Sequence, residues 1–570
     1  MHEDAENLRA RPCATSDIET GDYRRTRRTI GEMSATPYMS DLPDPSALWK
    51  AADLLRGSVD AAEYKHLVLG LLFLKYVSES FEHHREQLAR ELSDPASPDY
   101  IADEAERQAQ MEDRDEYEGD NVFFVPAGAR WSHESDDAAE LGLLQSAALP
   151  GLGQRIDDAL ELIERENPDT LKGVLPKIYA RAPLSTERLG SLVETIGNIP
   201  FRSSKEALDY LGRAYEYFIG RFASAEGKGA GEFYTPQSVT QLLVEMLEPY
   251  SGRIFDPACG SCGLFIQSAR FLEAHGASPD QLTIYGQEMN RATRRLGQMN
   301  LAIHGLAGQG EIAYTENGSL LDDAFPTLKM DFVLANPPFN QDPWGAAAVK
   351  DDVRWKYGTP PDANANYAWM QHMLHHLAPN GRAGFVMANG SMTTNAHNEG
   401  TIRQGLLEDD VVDCVVALPG GLFFSTGIPV CMWFFDRDKA SSGERDRRGE
   451  TLFIDARHMG EAVSRKQIRL TDKETTEIAR TYHAWRGQPE AGDYEDRLGF
   501  CRSSMLAEIE AQGFVVSPGR YVGAPEEEED EVAFEERMTE LVEGLAADFA
   551  RSDELTAEVR KALGAVGYEL

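Results

Sequence analysis

At 570 residues, 42% hydrophobic and 26% charged, the chain is too long for one core and reads as two or three soluble globular domains. It has no apolar run long enough to cross a membrane. Met1-His2-Glu3-Asp4 lacks the basic-then-apolar order of a secretory signal, and six cysteines suggest no disulfide framework, so the cytoplasm is the expected compartment. A net charge of −39 argues against a protein that grips a polyanion unaided, because phosphate neutralisation supplies much of that affinity. Any work on nucleic acid would need a partner subunit for the grip.

Residues 1–44 read as a disordered tail, polar throughout and carrying the basic patch Arg24-Arg25-Thr26-Arg27-Arg28. Residues 45–200 read as an all-α domain. Leu48, Trp49, Ala52 and Leu55 form one apolar stripe. Asp60-Ala61-Ala62-Glu63 has capping-box spacing and opens an apolar helix from Tyr64 through Phe81. Further helix is expected near 137–165 and 186–197, with a helix and a loop between about 90 and 120.

Residues 201–495 alternate helix and strand. A helix at 203–224 leads into the flexible loop Gly227-Lys228-Gly229-Ala230-Gly231. Strands are expected at Arg253–Phe255, Thr283–Gly286, Phe332–Ala335, Ala383–Ala388 and Val411–Leu418. A helix at 363–377 precedes a Pro379-Asn380-Gly381 turn. Such alternation predicts an α/β, doubly wound, Rossmann-like sheet. Pro429–Phe435 is expected as an antiparallel last strand beside Val411–Leu418. Residues 496–570 read as a C-terminal helical extension for subunit assembly. Phe534, Met538, Leu541, Leu545 and Phe549 recur at spacings of four and three, after the acidic run Glu526–Glu531.

Three segments carry chemistry. Asn336-Pro337-Pro338-Phe339 closes the apolar run Asp331–Ala335, at the carboxyl edge of a strand, where open α/β sheets bind ligands. The Asn336 side-chain oxygen and the Pro337 carbonyl can each accept a hydrogen bond from an exocyclic NH2, and Phe339 can stack on the ring that bears it. The prolines keep the turn stiff. Asp256-Pro257-Ala258-Cys259-Gly260-Ser261-Cys262-Gly263 follows the first strand and opens a helix; its small residues let backbone approach a ligand. Glu288 ends the second strand, where a carboxylate can take both hydroxyls of a ribose. The loop is not G-x-G-x-x-G, so a nucleoside with a cationic sulfur and an amino-acid tail fits better than a pyrophosphate cofactor. Asp256 would then face the ammonium end. Cys259-x-x-Cys262 has no second pair to complete a metal site, and small packing residues are the better account. Glu232-Phe233-Tyr234-Thr235-Pro236-Gln237 could cover a bound nucleoside, or could simply start a helix with Thr235 as cap and Pro236 at the first position.

Together these residues resemble the amino-methylating DNA methyltransferases, and more closely the modification subunit (HsdM) of type I restriction-modification systems. The likeness runs from Leu48 to Gly523. Leu48–Asp53 and Tyr64-Lys65-His66 carry it in the helical domain, with Gly231–Pro236, Asp256–Gly263, Asn336–Phe339 and Phe424–Pro429 in the catalytic domain and Ser517–Gly523 near the end. The resemblance implies methylation of adenine N6 in a specific DNA sequence. It implies that S-adenosyl-L-methionine is held by Glu232, Phe233, Tyr234, Thr235, Pro236 and Gln237, by Asp256, Gly260, Ser261, Cys262 and Gly263, and by Glu288 on the ribose. Asn336, Pro337, Pro338 and Phe339 would hold the flipped adenine. The implied partners are DNA, reached through a specificity subunit (HsdS), and a nuclease/translocase subunit (HsdR), with two copies of this chain per complex. Cys262 departs from the family, many of whose members have Gly there. A protein-glutamine or RNA methyltransferase and a non-catalytic assembly subunit are the alternatives. The large helical domain weighs against the first, and the intact Asn336–Phe339 and Glu288 against decay.

Overall fold

The computed structural model describes residues 61–523, except 121, 138, 200–211, 213, 221, 223–233, 424–426, 441–444 and 465–466, and isolated positions beyond 523. The readings of residues 1–60, of Gly227–Gly231, of Glu232 and Phe233, and of Phe534, Leu541 and Leu545 therefore lie outside the described residues. Met538 and Phe549 of the same stripe are exposed. No described helix is long and apolar enough to cross a membrane.

The apolar helix extends over Ala61–Ser93, well past Phe81. Leu67, Val68, Leu71, Leu72, Phe73 and Val77 are all buried, so it is wrapped on every side rather than lying on a surface. Helices Leu152–Glu166 and Thr186–Gly197 contribute Ile156, Leu160, Leu192 and Ile196 to the same core. The helix expected from 137 begins only at Leu152, after Gly151 in the left-handed conformation (φ 79°). The core continues into Leu296, Met299 and Ile303 of helix Arg291–Ile303, and Tyr76 Oη donates to the Ile303 carbonyl at 2.7 Å. That helix also borders the loop after Asp256, through Asn300 and Ser261, so the two parts of the chain share it.

The sheet is built from β1 (Gly252–Asp256), β2 (Leu282–Glu288), β3 (Gly310–Tyr314), β4 (Met330–Ala335), β5 (Leu377–Ala388), β6 (Val412–Ala417), β7 (Val430–Asp436), β8 (Glu450–Asp455) and β11 (Cys501–Met505). Their order is β11-β8-β6-β7-β5-β4-β1-β2-β3, and β9 (Glu461–Ser464) and β10 (Gln467–Arg469) form a separate hairpin. β1 to β5 pair with one another in parallel, and β7 is antiparallel to both β5 and β6. The chain winds outward from β1 to β3, then returns to β4 on the other side of β1. The β1/β4 junction is thus the switch point of the sheet, where ligands bind at the carboxyl edge.

Three expectations are corrected. β7 lies beside β6, as expected, but it is inserted between β5 and β6 and is not the last strand. The segment after about 500 is not all helical: Cys501–Met505 is an edge strand on β8, its polar pattern reflecting one exposed side. Pro379-Asn380-Gly381 does not end a helix ahead of a strand; it is a bulge inside β5, where Leu377 pairs with Met330 and Arg382 with Phe332.

Two cores cover the sheet. One face packs helices Gln237–Leu247, Gly263–Ala274 and Asp472–Trp485, and the other packs Asn366–His376 and Glu399–Glu408.

Candidate active site

The loop after β1 is held from both sides. Asp256 Oδ1 accepts the Ala258 N–H at 2.9 Å, and the Cys259 N–H donates to the Gln287 carbonyl of β2 at 3.1 Å. Glu288 Oε2 accepts the Gly260 N–H at 3.1 Å, and its Oε1 accepts the Asn290 N–H at 2.7 Å. Each carboxylate oxygen keeps further acceptor capacity. Burial raises the Glu288 carboxyl above its usual range, and it pushes Asp256 up to about 8 with help from the neighbouring Glu288 charge. Two buried carboxyls at the ends of adjacent strands suit a cationic, hydroxyl-bearing ligand.

Asn336 follows β4 directly. Its Nδ2 donates to Thr235 Oγ1 at 3.0 Å, which fixes the amide and leaves Oδ1 facing inward. That Oδ1 is buried and has no hydrogen-bond partner among the described residues. Thr235 is therefore not the helix cap: helix Gln237–Leu247 is capped by Pro236, with no side-chain bond. The Phe339 ring meets Phe423 edge to face, at 5.9 Å between centroids.

One cavity joins these pieces. Thr235, Asp256, Gly260, Ser261, Gly263, Glu288, Asn336 and Pro338 line it, with Asn317–Leu321, Gln341, Trp344 and Trp369. Pro337 and Phe339 stand beside it, and Pro236 and Gln237 outside it. Tyr234 packs on the helical domain, its ring against Gly220. Cys262 does not line the cavity. Its φ of 63° turns the side chain beneath the loop, toward helix Arg291–Ile303, where a Cβ on Gly297 would come within 2.7 Å of its Sγ. Asn300 Nδ2 donates to the Ser261 carbonyl at 2.9 Å and ties the same helix to the loop.

The wall formed by Ser319 and Leu320 was not legible in the sequence. Arg354, itself buried, donates from Nη1 to the Ser319 carbonyl at 3.2 Å and from Nη2 to the Leu320 carbonyl at 2.7 Å, while Asp352 holds its Nε and Nη2. Behind it Asp323, His372 and His376 bring possible ligand atoms within 4.8 Å of one another. Arg354 Nη1 also donates to His372 Nδ1 at 2.8 Å. A guanidinium can only donate, so the proton of this neutral ring sits on Nε2, and the adjacent positive charge repels a cation. The cluster is a polar strut behind the wall.

Residues 206–530 match the N-6 DNA Methylase family, and residues 45–196 match the HsdM N-terminal domain. The chain belongs to the N-6 DNA methylases. It is 44% identical over 460 residues to the type I restriction enzyme HindI methylase subunit of Haemophilus influenzae, covering 78% of this chain and 100% of that protein. It is 38% identical over 530 residues to the MjaIX methylase subunit of Methanocaldococcus jannaschii, covering 91% of each. Among solved structures, the type I methyltransferase subunit from Streptococcus thermophilus superposes with a TM-score of 0.67 at 24% identity, over 87% of this chain and 100% of that one. A modification subunit of a type I enzyme from Vibrio vulnificus gives 0.53 at 19% identity, over 84% and 94%. The shared fold is the doubly wound methyltransferase sheet with its helical domain. As a type I methylase subunit, this N-6 DNA methylase transfers a methyl group to N6 of adenine in DNA.

Proposed function

We propose that the cavity at the β1/β4 edge holds S-adenosyl-L-methionine and that Asn336–Phe339 present the target adenine to it. The observation that carries this reading is Asn336 Oδ1: buried, unpartnered among the described residues, and aimed by the bond from Nδ2 to Thr235. Glu288 would take the ribose hydroxyls with its spare lone pairs, and Asp256 the ammonium end. Gly260, Ser261 and Gly263 would give the backbone room beside it. S-adenosylmethionine, when bound, supplies an electrophilic methyl on a sulfonium.

The protein's own part is positioning and electrostatics. Asn336 Oδ1 and the Pro337 carbonyl each accept one N6 hydrogen. That favours a pyramidal nitrogen and aims its lone pair. Phe339, backed by Phe423, stacks on the adenine and offsets part of the cost of taking the base out of the duplex.

With a net charge of −39, the chain would reach its DNA through a specificity subunit (HsdS), with a nuclease/translocase subunit (HsdR) completing the assembly and two copies of this chain per complex. The names of its relatives as methylase subunits of type I enzymes support that reading. The cytoplasm is the matching compartment. The test is to co-express the chain with its specificity subunit, supply S-adenosylmethionine and duplex DNA, and identify the product base by mass spectrometry. N6-methyladenine supports the reading; transfer only to RNA or to a protein glutamine contradicts it.

A further inference from the structure

Two more residues lining the same cavity carry unpartnered polar atoms, and the roles above leave them unused. Gln341 Oε1 and Trp369 Nε1 are buried and meet no hydrogen-bond partner among the described residues, and both residues line the cavity. Oε1 accepts only, and the indole N–H donates only. A buried polar atom without a partner is costly, so Oε1 asks for a ligand donor and the indole N–H for a ligand acceptor.

Their surroundings say which ligand. Leu320, Trp344 and Trp369 belong to the core on one face of the sheet, whereas Phe339 packs with the core on the opposite face. The indole N–H of Trp344 is already satisfied, donating to the Pro361 carbonyl at 2.7 Å, so Trp344 offers only an apolar wall. Arg354 fixes Leu320 by its carbonyl. Leu320, Leu321, Trp344 and Trp369 thus make an apolar wall, suited to a flat aromatic ring, in a cavity that the Phe339 ring does not line. A 6-aminopurine has the required edge, an exocyclic N–H donor beside a ring-nitrogen acceptor.

We propose that Gln341 and Trp369 are specificity-determining residues that read the 6-aminopurine of the methyl donor. The amine donates to Gln341 Oε1, and Trp369 Nε1–H donates to a ring nitrogen next to it. This rests on the reading of the cavity as the methyl donor's site. A 6-oxopurine presents an acceptor where the amine stood and leaves Gln341 Oε1 unpaired.

The test is calorimetric titration of the whole chain with S-adenosylhomocysteine and with its inosine counterpart, in the parent, Gln341→Met and Trp369→Phe. The parent is expected to prefer the 6-amino compound by roughly 10- to 100-fold, because the oxo group leaves a buried acceptor unpaired. Each variant is expected to lose roughly 5- to 10-fold in affinity for the 6-amino compound, the worth of one neutral hydrogen bond. Gln341→Met should also bind the 6-oxo compound at least as tightly as the parent, since no acceptor is left unpaired against the oxo group, so that the preference shrinks. The comparison of the two nucleosides on the parent needs no variant to fold. Equal affinity of the parent for both compounds overturns the proposal. So do variants with parental affinity for the 6-amino compound and a raised KM for DNA, which would assign the pair to the target base. If the parent binds neither nucleoside while the assembled complex still yields N6-methyladenine, this proposal alone fails. If that product is absent as well, the reading of the cavity fails with it.

Discussion

Thr235 and Asn336, 101 residues apart in the chain, are joined by one hydrogen bond of 3.0 Å from the amide to the hydroxyl. An asparagine has a donor end and an acceptor end, and this bond decides which of them is left without a partner among the described residues. Thr235→Val removes the constraint and should slow methyl transfer by roughly tenfold, about the worth of one neutral hydrogen bond. The same change in an Asn336→Ala background should add little, since Thr235 acts through Asn336. A double-mutant cycle on the single-turnover rate measures this, and full additivity would separate the two residues.

The packing of the loop after β1 places its weak point at Gly297, not at Cys262. A Cβ on Gly297 would come within 2.7 Å of Cys262 Sγ and 2.9 Å of the Gly260 carbonyl. Gly297→Ala should therefore push the loop and weaken S-adenosylmethionine binding. Cys262→Gly should leave the affinity within about twofold, because its side chain faces away from the cavity and glycine tolerates the positive φ. Titration calorimetry of both variants would settle the order; a larger loss at Cys262→Gly contradicts this placement.

Arg354 holds the opposite wall. Arg354→Met leaves Asp352 and the Ser319 and Leu320 carbonyls without their donor. Removing one partner of a mostly buried pair should cost roughly 3 kcal/mol of stability. A lower denaturation midpoint together with weaker cofactor binding is expected. Unchanged cofactor affinity in the folded variant would show that the wall does not depend on the strut.

Asp256 gives a pH signature. Burial raises its carboxyl to about 8, above its unfolded value near 4. A raised acid favours the folded state when protonated, so its contribution is complete below about 4 and is lost as pH rises toward about 8. The stability of Asp256→Asn relative to the parent should therefore increase over that interval. A cationic ligand beside the carboxyl should lower its pKa and release close to one proton at pH 7. Calorimetry in buffers of different ionisation enthalpy reads this directly, and Asp256→Asn should release none. Equal proton release in both proteins would remove Asp256 from contact with the cation.

The charge of −39 predicts weak, sequence-blind DNA binding by the isolated chain. Fluorescence anisotropy at physiological salt, with and without the specificity subunit, measures it. Tight site-specific binding by the chain alone would contradict the role given to the partner.

Phe332–Ala335 and Val411–Leu418 were legible because a strand covered on both faces is a near-continuous apolar run, whereas β8 (Glu450–Asp455), equally buried, was passed over. β3 and β11 were not legible, because Gly310–Tyr314 buries only Ile312 and Ala313, and the edge strand Cys501–Met505 is largely polar. In the site, Asn336 and Glu288 could be placed from their positions at strand ends. The service of Thr235 to Asn336 could not, since no local pattern reports a partner 101 residues away. Gln341, Trp369 and Arg354 were missed for a similar reason: whether a polar atom is satisfied depends on tertiary neighbours. Cys262 was placed among the ligand contacts by its position in the motif, and only its backbone angle shows that it points beneath the loop.

The most direct measurement is single-turnover methylation by the assembled complex carrying Asn336→Ala, at saturating S-adenosylmethionine, beside calorimetric titration of the cofactor into the same variant. The account predicts a rate lower by roughly a hundredfold or more, because the lost acceptor matters most as N6 rehybridises, with cofactor affinity nearly unchanged. Transfer to adenine N6 at the parental rate would contradict it.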